Sequence, residues 1–189
     1  MDSNIVIHAP DSDGLDAFDL DAFTGKWHVT HSTLPLWKNK KNVTITYTPI
    51  PPTTTTGNPG PPTEPRKFHD LVEYLPKSAS SSPDTKPTRI EGIDTVLGPS
   101  GARFKWRGKG WLVVASSKWQ VIAHGDGWAV TYFEKTLFTP AGLDIYSRDG
   151  RGLEDAFVEE LVAKVRGVGG GVGRLAEAFF KVELEEGGE

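Results

Sequence analysis

Between residues 25 and 148 the apolar, β-branched and aromatic positions come in short runs, each closed by Gly, Pro, Asn or Ser. That is the pattern of strands joined by turns. Eight runs stand out, at about residues 25–33, 42–50, 67–75, 88–97, 102–108, 117–124, 127–135 and 142–148. An even number of sequential strands favours closure, so the chain is predicted to be all-β, an eight-stranded antiparallel up-and-down barrel. After Arg148 the period changes. Leu153, Phe157, Leu161 and Val165 recur every four residues, with Glu154, Glu159 and Lys164 elsewhere on the turn. The spacing predicts an amphipathic α-helix over 153–166, packed on the outside of the barrel. Gly167 and Gly169 to Gly171 end it, and LAEAFFKVEL adds a last short apolar segment before an acidic tail at 185–189.

Two stretches interrupt the strands, at 51–65 and 76–87, and both are too rich in Pro, Ser and Thr to pack. They are expected to be loop insertions within one domain spanning 1–189, since neither flank alone could close a core. GVGGGVG follows a helix rather than a strand and lacks a Walker lysine, so a flexible connection fits it better than a phosphate loop.

Composition narrows the classes of function. The 189 residues, 37% of them hydrophobic, can build a substantial core, and a formal charge of −4 supplies no basic field for nucleic acid. Cysteine is absent, which excludes disulfides and thiolate chemistry and fits a reducing compartment. The acidic N-terminus lacks an apolar h-region, and no run of about 18 apolar residues exists to span a bilayer. A cytoplasmic protein without a membrane span is the expectation.

Three segments carry a resemblance. FDLDAFTGKWHV, with Gly25 and Trp27, is similar to the first lipocalin motif, a helical turn leading to Gly-x-Trp at the start of the first strand. HGDGWAVTY, with Asp126 and Trp128, loosely resembles the second, although its Thr-Asp-Tyr form is absent. LDIYSR followed by the helix resembles the third, with Arg148 ending the last strand. The chain therefore resembles the lipocalins of the calycin superfamily over residues 18–166. The resemblance implies an apolar cup that takes a small hydrophobic molecule. Independently of the family, Trp27 can plug the narrow end of a barrel while Arg148 lies across its face in a cation–π contact.

Strict alternation then sorts side chains between the lumen and the outside. From Trp27 inward, the more apolar parity selects Val29 and His31; Val43, Ile45 and Tyr47; Phe104 and Trp106; Trp119 and Val121; Trp128, Val130 and Tyr132; Leu143 and Ile145. Ile122, Phe133 and Tyr146 fall outside, under the helix, and strands 67–75 and 88–97 have no decided register. The loops at the open end are greasy, carrying Leu34, Leu36 and Trp37, then Trp111, Leu112 and Val113, then Leu137 and Phe138. They form either a lid over an entrance or additional core. Lys38, Lys40 and Lys41 beside them could attract an acidic headgroup.

Recognisable catalytic chemistry is sparse. The five histidines show no metal-ligand spacing, and there is no nucleophile elbow or cysteine cluster, so neither metal nor cofactor is expected. His31 is the one histidine assigned to the lumen, where it could anchor a ligand, act as an acid or base or meet a haem iron. Glu134 is the only lumen-side carboxylate that alternation proposes. Three functions remain open: a carrier binding a hydrophobic molecule on Leu36, Trp37, Tyr47, Trp111, Phe138 and the lumen set; a cyclase or isomerase using His31 and Glu134; and a protein-interaction module docking through the rim.

Overall fold

The computed structural model describes residues 5–10, 12, 15, 18–52, 65–80, 82, 84–110 and 114–185. A short helix α1 (Leu20–Phe23), capped by the Asp19 carboxylate on the Ala22 amide, leads into β1 (Gly25–Ser32). A 3-10 turn at Pro35–Trp37 precedes β2 (Lys40–Ile50). Then follow β3 (Lys67–Pro76), β4 (Thr88–Leu97), β5 (Arg103–Gly108), β6 (Ser116–Gly125), β7 (Trp128–Phe133) and β8 (Gly142–Ser147). Each strand pairs antiparallel with the next, and β1 pairs with both β8 and β2, so the eight strands close into a barrel. Residues 53–64 of the first predicted insertion lie outside the described residues. The second is a β3–β4 turn, tied down where Lys77 N–H donates to the Asn39 carbonyl.

The C-terminal part departs from expectation. α2 (Asp155–Gly167) matches the predicted helix, but GVGGGVG is not a loose connection. It forms a tight corner into a second helix, α3 (Gly170–Ala176). Gly169 has φ +75°, and a Cβ on Gly173 would lie 2.7 Å from the Arg166 carbonyl oxygen, so the glycines permit a close helix–helix approach. The apolar run beyond supplies a ninth strand, β9 (Phe180–Lys181), which pairs with β1 at His31 and Ser32. β1 pairs with β2 only from Gly25 to His28, and residues 181–183 occupy the gap above: Val182 N–H donates to Thr30 O and Asn42 N–H to Glu183 O, each at 2.8 Å. Glu185 then receives the buried ammonium of Lys41 at 2.7 Å. Lys41 thus holds the C-terminal segment and is not turned to a ligand, while Lys38 and Lys40 lie over the rings of Phe180 and Tyr74.

Two apolar layers result. One fills the barrel interior; the other lies between β6–β8 and the helices, where Val158, Leu161 and Val165 of α2 meet Ile122, Val130, Leu143 and Ile145. Leu161 and Val165 are fully buried there. Among the described residues no helix is long and apolar enough to cross a membrane.

The narrow end is closed by the predicted pair. The Arg148 guanidinium lies 3.6 Å from the Trp27 ring centre and donates to the carbonyls of Lys26, Ala22 and Thr24 at 2.7–2.8 Å. Trp27 Nε1 donates to Phe23 O at 2.8 Å, so plug and strap both grip α1. Asp126 sits in the exposed β6–β7 turn beside them, and Gly127 O receives the Arg148 amide. We expect Trp27→Ala to cost about 3–5 kcal/mol and Arg148→Ala about 2 kcal/mol, with a coupling near 1 kcal/mol in a denaturant double-mutant cycle. Additive losses would mean that the stacked contact contributes nothing.

Candidate ligand-binding site

In β1 and in β6 a β-bulge decides which side chains face the lumen. In β1 the pairing with β8 slips between Val29 and His31, and in β6 the pairing with β7 slips between Val121 and Ala123. Each bulge inserts one residue and reverses the faces beyond it. Trp27 and Val29 point inward as predicted. His31 is thrown to the outside, opposite Ile145 and Lys181, with Nδ1 3.2 Å from Thr30 Oγ1. Burial first, then the Lys181 charge, lowers its pKa below the ordinary histidine value. It is not a lumen residue.

The same correction applies to β7 and β8. Trp128, Val130, Tyr132, Leu143 and Ile145 face the helices, whereas Ala129, Phe133 and Tyr146 join the interior cluster. Strict alternation assigned these two strands the wrong way round. Both faces are covered, and the drier face is the outer one under α2, so the more apolar parity lies outside. In β3 and β4 the undecided register is settled by pairing: Phe68, Asp70 and Val72 share the inner face with Asp94, Gly92 and Ile90.

The lower half of the lumen is solid. Trp119 stacks on Phe104 with ring centres 4.2 Å apart and lies against Tyr47 at 5.5 Å and Phe133 at 5.9 Å, above Phe23 and Trp27. Val121 is buried in this filled half rather than on a cavity wall. Above Trp119 the barrel is hollow. A cavity of about 280 Å³ is walled by Trp37, Ile45, Tyr47, Val72, Ile90, Trp106 and Phe133, with Asp70, Asp144 and Glu134 among them. Trp106 can lie along the wall because position 92 is glycine: a Cβ there would sit 2.1 Å from the indole nitrogen.

The rim loops divide between the two readings of the sequence. Leu34 and Trp37 fold down as core, at 4% and 6% exposure, and Leu36, at 40%, lines the cavity mouth. Leu137 and Phe138 stand in solvent at 95% and 84%, so Phe138 is not a wall residue. Trp111, Leu112 and Val113 lie outside the described residues.

Alternation missed the main polar feature of the interior. Asp70, Asp94 and Asp144 are buried inside the barrel, so Glu134 is not the only carboxylate on the lumen side. Asp144 accepts from Ser32 Oγ at 2.5 Å and Trp37 Nε1 at 3.3 Å, and Asp94 accepts from Trp119 Nε1 at 2.8 Å. The Asp70 and Asp94 carboxyls meet each other and the Tyr47 and Tyr146 hydroxyls meet each other, while no other protein donor reaches Asp70 Oδ1 or Asp94 Oδ2. Exclusion of water pushes the Asp144 carboxyl up to about 7 against its two donors, and burial, the nearby Asp94 charge and the hydrogen bond shared with Asp94 raise Asp70 well above the ordinary carboxylate range. One signal was present in the sequence: Asp144 interrupts Leu143-Asp-Ile145-Tyr146, a run too apolar to have a solvent face.

No family model matches the sequence, and no curated protein matches it either. Solved structures do match. Insecticyanin from the tobacco hornworm Manduca sexta aligns at TM-score 0.60 and 16% identity over 96% of this chain and 88% of that one. Lobster apocrustacyanin A1 aligns at TM-score 0.58 and 14% identity, covering 96% and 92%. The amine binding protein of Rhodnius prolixus, solved as its tryptamine complex, aligns at 0.51 and 16%, covering 94% and 84%. With the closed barrel, the plugged end and the flanking helix, these likenesses show that the chain has the lipocalin fold.

The aspartates give a stability prediction with a definite sign. A carboxyl whose pKa is raised by folding stabilises the fold in its protonated form, fully below about pH 4, and loses that contribution as pH rises through about 7. Asp144→Asn is therefore expected to gain melting temperature relative to the native protein by about 2–4 °C or more between pH 5 and pH 8. A gap that stays constant or narrows would place the Asp144 carboxyl in a solvated setting.

Proposed function

We propose that the protein binds a small, largely hydrophobic molecule in the barrel and acts as its carrier or sequestering protein. The cavity above Trp119 carries this reading: it is concave, apolar on most of its wall, and supplies a few convergent polar groups that would orient a ligand. At about 280 Å³ it lies near the lower end of ligand cavities, which run roughly from 300 to 1,000 Å³, so the ligand is small. The lipocalin neighbours support the same reading; one of them was solved holding tryptamine.

The enzyme alternative drew on His31 and Glu134. His31 lies on the outer face while Glu134 lines the cavity, so that pair is not assembled.

Phenylnaphthylamine, which fluoresces when removed from water, tests the proposal. We expect saturable enhancement with the native protein, about tenfold weaker binding in Trp106→Ala, and loss of binding in the cavity-filling Val72→Trp at unchanged circular dichroism. Equal enhancement in all three proteins would move the binding site elsewhere.

A further inference from the structure

We propose that the occupant of the cavity is a small aromatic amine, held as its ammonium ion with Asp70 as counter-ion. The inference rests on the lumen being a ligand site and names the chemistry that the site selects.

Asp70 lies on the inner face of β3, lines the cavity and is 6% exposed, and its carboxyl meets that of Asp94, a contact that holds together only while a proton is shared between the two. Asp94 is its diagonal neighbour across the β3–β4 pair, and apart from that shared proton no protein donor reaches Asp70 Oδ1 or Asp94 Oδ2. Two carboxyls held together in a dry interior cannot both ionise, and a cation arriving with a ligand can take the place of the shared proton. Asp144, on the opposite side of the barrel, is already oriented by Ser32 and Trp37 and adds a second negative group to the wall.

The charges around the cavity agree in sign. Asp70, Asp144 and Glu134 line it, with Asp94 behind Asp70 and the hydroxyls of Tyr47 and Tyr146 between the two sides. Among the described residues no Lys, Arg or His lines it. Lys38 of the β1–β2 loop and Lys40 at the start of β2 lie over rings, and Lys41 is paired with Glu185. A carboxylate ligand would meet only acids here. A neutral alcohol could donate to one acceptor but gains nothing from a carboxylate charge. An ammonium ion offers up to three donors and a full charge, and the faces of Trp37, Trp106, Trp119 and Tyr47 attract a cation while packing against an aromatic ring.

The pH dependence separates this occupant from a ligand that accepts hydrogen bonds. With the lumen empty, the buried carboxyls hold their protons above the ordinary range. A cation displaces a proton on binding and therefore binds more tightly as pH rises. A carbonyl ligand needs the protonated acid and binds more tightly as pH falls.

Isothermal titration calorimetry on the full chain, with four probes sharing one phenyl tail, provides the test. The probes are phenylethylamine, its trimethylammonium analogue, phenylpropanol and phenylpropanoate. At pH 8 the two cations are expected to bind about tenfold tighter than the alcohol and about a hundredfold tighter than the acid. The trimethylammonium probe, which cannot titrate, is expected to gain about threefold or more from pH 6 to pH 8. Asp70→Asn is expected to abolish the preference for cations while leaving the alcohol within about twofold of its native affinity. Equal binding of amine and alcohol, a preference for the acid, or cation affinity that falls with pH would overturn the amine assignment and leave a lumen site for another ligand class. The pH slope is read on the native protein, so the test stands even where Asp70→Asn does not fold. If no probe binds and phenylnaphthylamine also fails to fluoresce, the lumen reading itself falls.

Discussion

Trp119 marks the level at which this barrel changes from solid to hollow. Its indole is stacked on Phe104, bounded by Tyr47 and Phe133, and fixed in rotation by the hydrogen bond from Nε1 to Asp94. Below it, aromatic side chains fill the lumen down to Trp27 and the Arg148 strap. Above it, the wall carries smaller groups, and the glycine at position 92 lets Trp106 lie flat where any other side chain would push it into the space. An eight-stranded barrel has an interior only just wide enough to be filled by its own side chains or to hold one small ligand. Here it is filled at one end and hollow at the other, with Trp119 as the floor between them.

Holding that floor requires polar groups in a dry place. Asp94 orients Trp119 and Asp144 orients Trp37, so two of the large wall residues are each tied to a buried carboxyl. Raised carboxyl pKa values are the physical consequence, because burial disfavours the charged form more than one or two donors can restore. The interior is thus an aromatic cup with a concealed acidic component. An apolar cavity alone would hold a ligand by area; these groups add orientation and a preference for charge.

The strands were legible in the sequence because each is a short apolar run bounded by turn residues, and β1 to β8 lie within a few residues of where the pattern put them. The plug was legible because Gly-x-Trp opens the first strand and an arginine closes the last. The lumen was only partly legible. Tyr47, Phe104, Trp106 and Trp119 sit in strands, or in parts of strands, where one face is interior and the other meets solvent or lighter cover. In β7 and β8 both faces are covered, and the alternation signal then reports which face is drier, not which is inside. Val130, Tyr132 and Ile145 were misplaced for that reason. His31 was misplaced because a bulge at Thr30 leaves no mark in a pattern of hydrophobic positions. Asp70 and Asp94 were missed because β3 and β4 alternate weakly, and pairing with their neighbours, which fixes their register, is not local information.

The central claim, that the hollow above Trp119 receives the ligand, can be read at individual indoles. A nitrogen–proton correlation spectrum of protein labelled at tryptophan resolves the Nε1–H groups. Titration with a neutral aromatic probe such as naphthylmethanol then reports which of them sense it. The account predicts that Trp37, Trp106 and Trp119 shift while Trp27 at the plug and Trp128 under α2 stay where they are. Movement of Trp128 or Trp27 with the three cavity indoles unchanged would contradict it.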